Sequence, residues 1–107
     1  MNRMHQHGAA PHAHDEVVRV LQAVADPARL SLVHLLADGP MRVVDLTAAL
    51  GLAQSTVSGH LAVLRAAGLV TATPQGRAVL YELADDDLDV LLGVVERIVA
   101  RHAAVAS

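Results

Sequence analysis

Between Gln54 and His60 the sequence reads Gln54-Ser55-Thr56-Val57-Ser58-Gly59-His60, short hydrogen-bonding side chains interrupted by one aliphatic residue. Hydroxyls, a carboxamide and an imidazole can donate to and accept from base edges and phosphate oxygens. They are also short enough to let a helix backbone approach the floor of a groove. Val57, Leu61 and Leu64 fall at i, i+4 and i+7, one apolar stripe of a helix, which assigns Ser55, Thr56, Ser58, Gly59 and His60 to the opposite face. The chemistry expected of that face is the reading of double-stranded DNA. Arg65 adds a cation in the last turn of the same helix, where a positive charge also suits the carbonyl end.

Metal ligation is the second chemistry on offer. His5-x-His7 and His12-x-His14 form two pairs near the start of the chain, and His102 stands near its end. Cysteine is absent, so there is no thiolate ligand, disulfide framework or cysteine nucleophile. Imidazole without sulfur suits Ni²⁺, Co²⁺ or Zn²⁺ and disfavours copper(I) or arsenite. The bland alternative is a solvated arm whose paired histidines take up nickel adventitiously. Catalysis is not expected, because the sequence holds no glycine-rich phosphate loop and no isolated acid–base pair.

The elements that must carry these residues can be read in chain order. Residues 1–14 mix histidine with Gly8, Ala9, Ala10 and Pro11 and show no apolar period, which predicts a flexible arm before a folded domain at 15–107. A helix is expected over 15–25, with Val17, Val18, Val20, Leu21 and Val24 covering more than one stripe. A second begins at Asp26-Pro27, a cap followed by proline in the first turn, and runs to about Ala37. Val43, Leu46 and Leu50 then form a short helix joined through Gly51-Leu52-Ala53 to the polar helix described above. This is a helix-turn-helix over roughly 42–67. After Gly68 come a β-biased segment at 69–73, a turn at 74–77 and a return at 78–83, which predicts a hairpin with Arg77 at its tip, placed to meet a phosphate or the minor groove. A last helix opens at Asp85-Asp86-Asp87 and carries Leu88, Leu91, Leu92, Val95, Ile98 and Val99.

The fold class is therefore mainly α with a β-hairpin wing. The 107-residue chain is 53% apolar, with no Phe or Trp, so its core must be aliphatic and modest. The first and last helices are apolar over too much of their circumference for one neighbour, which predicts a homodimer through those two helices. Such a dimer would present two reading helices to half-sites about 34–36 Å apart. The net charge of −3 argues weakly against nucleic acid, but Arg42, Arg65 and Arg77 face only Asp45 between Gly39 and Leu80, whereas Glu82, Asp85, Asp86, Asp87 and Asp89 crowd into the next few residues. No membrane-spanning run or signal peptide is recognisable, so a cytoplasmic protein is expected.

The segments "ADPARLSLVHLL", "DLTAALGLAQSTVSGHLAVLRAAGLV" and "GRAVLYEL", in this order and spacing, resemble the ArsR/SmtB family of winged-helix bacterial transcriptional regulators. The resemblance covers roughly Val17 to Val99. It implies a homodimer on an inverted-repeat operator, usually a repressor released by an inducer, with Gln54, Ser55, Thr56, Ser58 and His60 contacting DNA and Arg77 supporting them. Nickel- and cobalt-sensing members recruit ligands from N-terminal arms, which gives His5, His7, His12, His14 and His102 a role. Two familiar inducer sites are not matched. Arg42 and Val44 stand where a cysteine site would lie, and Ile98 and Arg101 occupy half of the last-helix site. The alternatives are a winged-helix regulator without its own metal site, controlled by a second regulatory protein or an organic ligand, and a protein-interaction module that binds no DNA.

Overall fold

In the computed structural model, which describes residues 11–106, a short 3-10 turn at Pro11–His14 leads directly into helix α1 (Asp15–Val24). The last four residues of the expected arm thus make a helical turn, and α1 starts at Asp15 as expected, with Asp15 and Glu16 in its first turn favouring the start. Helix α1 ends at Val24, one residue before the expected boundary, and the chain turns by 87° into α2 (Pro27–Ala37). Asp26 caps α2 as expected: its carboxylate accepts the Arg29 backbone N–H at 3.0 Å. That bond is the chief reason its acidity is raised above that of an ordinary aspartate, and the Arg29 guanidinium adds to it.

Helices α3 (Val43–Leu50) and α4 (Gln54–Ala66) make the helix-turn-helix, and Gly51 closes α3 in a left-handed conformation at φ 68°. Only glycine adopts that conformation without a steric penalty, and its N–H reaches the Thr47 carbonyl at 2.9 Å. The hairpin follows as β2 (Val70–Gln75) and β3 (Ala78–Leu83), joined by Gly76 and Arg77. Gly76 has φ 62° and Arg77 does not have a positive φ, the pattern of a primed hairpin turn with glycine first. The expected turn at 74–77 is therefore shorter. Pro74 pairs with Val79 inside the ladder, and proline is tolerated there because β2 is an edge strand.

One element was not foreseen. Met41–Arg42 form a two-residue strand, β1, on the other side of β3, with Met41 opposite Tyr81 and Arg42 opposite Leu80. The last helix, α5 (Asp87–Ala106), starts after Asp85 accepts the Asp87 N–H at 2.8 Å.

The core lies where α2, α3 and α4 meet, around Leu32, Val33, Leu46, Val57, Leu61 and Leu64, all fully buried. Leu88 and Leu92 anchor the first half of α5 to it. Beyond that core, Val17, Val18 and Leu21 of α1 and Val90, Leu91, Val94, Ile98 and Val99 of α5 are exposed. Among the described residues no single helix is long and apolar enough to cross a membrane.

Candidate nucleic-acid interface

Helix α4 is held by one stripe and displays the rest of its circumference. Val57, Leu61 and Leu64 are buried, whereas Gln54, Ser55, Thr56, Ser58, Gly59 and Arg65 are exposed. At 3.6 residues per turn, the positions directly opposite the buried stripe are Ser55, Gly59, Ala62 and Ala66, all small. Gln54, Ser58 and Arg65 line one flank of this strip and Thr56 the other. No acidic residue occupies the first turn of α4, and its N-cap, Ala53, has no capping side chain. The start of this helix therefore keeps free N–H groups and an uncompensated positive dipole end.

Arg65, expected either as a contact or as an end-of-helix charge, shares its flank with Ser58. Together with Ala62 and Tyr81 they line a cleft of about 430 Å³ between α4 and the sheet. Arg77 is exposed at the wing tip, as expected.

His60 departs from the expectation. Its side chain is only 21% exposed and turns toward the start of α2, where Nδ1 lies 3.2 Å from Arg29 Nη1 and 3.8 Å from Asp26 Oδ2. A guanidinium has donors only, so Nδ1 is the acceptor of the Arg29 bond. The sequence carried a signal for this placement: His60 is three residues after Val57 and four before Leu64, which puts it on the flank of the buried stripe. Arg29 also donates from Nε to the Ala23 carbonyl at 2.6 Å and from Nη2 to the Gln22 carbonyl at 3.4 Å. Arg19 of α1 reaches the Ala66 carbonyl at 2.5 Å. Two arginines thus tie α1 to the middle and the end of α4. Sequence reasoning missed both, because the residues they join are 31 and 47 positions apart.

Of the histidines expected to ligate metal, the structure describes three, His12, His14 and His102. His5 and His7 lie outside the described residues. His12 and His14 are exposed in the 3-10 turn, and His102 is exposed on α5. Among the described residues, no three His, Asp or Glu side chains come together in a way that could hold a metal ion. His34 is at the surface, with Nε2 3.8 Å from Glu96 Oε2.

Two helices joined across a glycine turn, each seated on the core by its apolar stripe, and a hairpin that projects beside the second of them from a three-stranded sheet, define a winged helix-turn-helix domain. The family described as "Bacterial regulatory protein, arsR family" matches residues 26–72. The HTH-type transcriptional regulator NmtR of Mycobacterium tuberculosis is 44% identical over 77 residues, 72% of this chain and 64% of that protein. CmtR of Mycobacterium bovis, also an HTH-type transcriptional regulator, is 45% identical over 83 residues, 78% of this chain and 70% of that one. Among solved structures, the homodimeric winged helix-turn-helix DNA-binding domain Mb0332 from Mycobacterium bovis superposes with a TM-score of 0.76 at 34% identity. That match covers 83% of this chain and 82% of that one. NolR from Sinorhizobium fredii gives 0.75 at 32% identity, over 83% and 92% of the two chains. The chain belongs to the ArsR/SmtB family of transcriptional regulators. Its match spans just under two thirds of the length of NmtR.

Proposed function

We propose that this chain is a cytoplasmic, homodimeric repressor that reads an inverted-repeat operator in double-stranded DNA with α4 and steadies it with the wing. The observation that carries the reading is the exposed strip of small and hydroxylated residues on α4, Ser55, Thr56, Ser58 and Gly59, flanked by Gln54 and Arg65. Such a strip lets the helix backbone enter a major groove, and its side chains reach base edges. His60 then serves by orienting α4 through Arg29 rather than by touching a base. The exposed aliphatic faces of α1 and α5 support the dimer, since a second copy would cover them.

Gly59 supplies a discriminating test. A Cβ there would meet no atom within 4 Å, so nothing in the protein itself requires glycine in the middle of α4. Gly59→Ala should raise stability by about 0.5–1 kcal/mol, because glycine inside a helix is costly. The same methyl group should weaken operator binding, since it stands at the centre of the reading strip. Thermal unfolding and a DNA-binding titration on one preparation read the two opposite signs. Unchanged DNA affinity in the stabilised variant would mean that α4 does not enter a groove at Gly59.

The signal proposed for this regulator is a divalent ion, Ni²⁺, Co²⁺ or Zn²⁺, held by histidines among His5, His7, His12, His14 and His102 contributed by both protomers. The absence of a three-ligand group among the described residues favours a second reading as well, control by another regulatory protein or an organic ligand. Titrating metal-stripped protein with each ion, and then measuring binding to the DNA upstream of its own gene, separates the two. Stoichiometric uptake that changes DNA affinity at least about tenfold, and is lost without the first 14 residues, supports the arm as sensor. Specific DNA binding indifferent to all three ions rejects it. The interaction-module reading would require no sequence-specific DNA binding at any salt concentration.

A further inference from the structure

We infer that Arg42, acting with Arg77 and Gln54, forms a seat for one backbone phosphate of bound DNA, so that the helix-turn-helix and the wing grip the same strand together. The inference rests on the reading of the chain as a DNA-binding regulator. A cleft of about 330 Å³ opens between the start of α3, the start of α4 and the wing, its polar lining Arg42, Gln54 and Arg77 and its apolar lining Val43, Val44, Ala78 and Val79.

Strand pairing explains why residues so far apart in sequence meet there. Arg42 lies opposite Leu80 in the β1–β3 ladder, and residues directly opposite one another project to the same face of a sheet. Ala78, two residues nearer the turn, shares that face, and Arg77 follows at the turn itself. Gln54, the first residue of α4, approaches the same cleft from the helix-turn-helix.

The chemistry of the lining favours an oxyanion. Two guanidinium groups border the cleft, and no carboxylate is among the residues that line it. Guanidinium matches the geometry of a phosphate with paired N–H donors, and a carboxamide adds a further donor. Arg42 has one acidic neighbour, Asp45, whose Oδ2 lies 3.6 Å from Nε, and both side chains are more than half exposed, at 54% and 53%. A pair of that kind holds weakly, so a phosphate can draw the Arg42 guanidinium away from Asp45.

The test is the affinity of full-length variants, as a function of salt, for the duplex upstream of the chain's own gene and for a duplex of arbitrary sequence. Arg42→Ala should weaken binding about tenfold on both duplexes and make the slope of log affinity against log salt shallower by about one. Arg42→Lys should keep the slope while recovering part of the affinity, because lysine restores the charge without the fork. Asp45→Asn should strengthen binding to both duplexes by freeing Arg42. Combining Arg42→Ala with Arg77→Ala should cost less than the product of the single losses, as expected for two groups on one phosphate.

Wild-type affinity and slope in Arg42→Ala, in a protein that still binds DNA, would remove the phosphate seat and leave the regulator standing. A loss confined to the upstream duplex would overturn it in favour of a base contact. Inorganic phosphate that displaces DNA from the wild type at constant ionic strength, and fails to do so from Arg42→Ala, would reassign the cleft to a free anion. A wild type that binds neither duplex would sink the regulator reading itself.

Discussion

Ile98→Glu is expected to yield a folded monomer that binds operator DNA about 10²–10⁴-fold more weakly than the parent, the loss that follows when two linked binding events become one. Ile98 is 43% exposed on α5, beyond Leu88 and Leu92, the α5 residues that anchor the helix to the core. It shares with Leu91 and Val94 a face turned about a third of a turn from the buried one. The monomer therefore does not need Ile98 for its own core, whereas a dimer through α1 and α5 would bury it. A carboxylate forced into such an aliphatic interface would lack a partner and would be costly to desolvate. Sedimentation and DNA binding should change together, with the circular dichroism spectrum unaltered. A variant that keeps dimer mass and wild-type affinity would move the dimer interface elsewhere.

Leu61→Ala should cost about 2–5 kcal/mol of stability, the range for emptying a closely packed leucine site. Leu61 has no exposed surface and sits between Val57 and Leu64 on the only apolar stripe of α4, against a core supplied by α2 and α3. No aromatic side chain packs in that core to spread into the gap, since the chain's one aromatic, Tyr81, is half-buried at its edge. Urea titration at fixed protein concentration checks the loss, because a dimer's apparent stability shifts with concentration. At temperatures where the variant remains folded, the residues proposed to read DNA are all still present, and DNA affinity should fall far less than stability. A cost under about 1 kcal/mol would mean that α4 is not seated on the core as described.

The contrast between these two leucine-class positions shows what a helix pattern encodes. Ile98 and Leu61 are both aliphatic and both fall on helical periods, but one is covered within the chain and the other is not. Periodicity identifies a face that needs a neighbour without saying whether the neighbour is the same chain. The wide apolar coverage of the first and last helices was the sequence's indication that a second molecule is involved.

Much of the DNA-facing architecture was legible because its determinants are local. The Asp26 cap with Pro27, the left-handed turn at Gly51, the existence of a hairpin between residues 69 and 83 and the stripe Val57, Leu61, Leu64 each depend on residues a few positions apart. Local sterics, hydrogen bonding and apolar spacing are enough to encode such features. What only the tertiary structure decided lies at the borders of those patterns. His60 flanks the apolar stripe and could face either way until Arg29 and Asp26, brought beside it by the bend between α1 and α2, drew it inward. Arg42 sits on a strand of two residues, too short to show a period, and only its pairing with β3 carries it to the same cleft as Arg77 and Gln54. The sequence by itself thus determined a winged helix-turn-helix and the polar strip of α4, because apolar spacing and turn chemistry act over a few residues. Which polar side chains brace that helix and which are left facing outward was decided by packing between segments distant in the chain, a property that no short stretch of sequence contains.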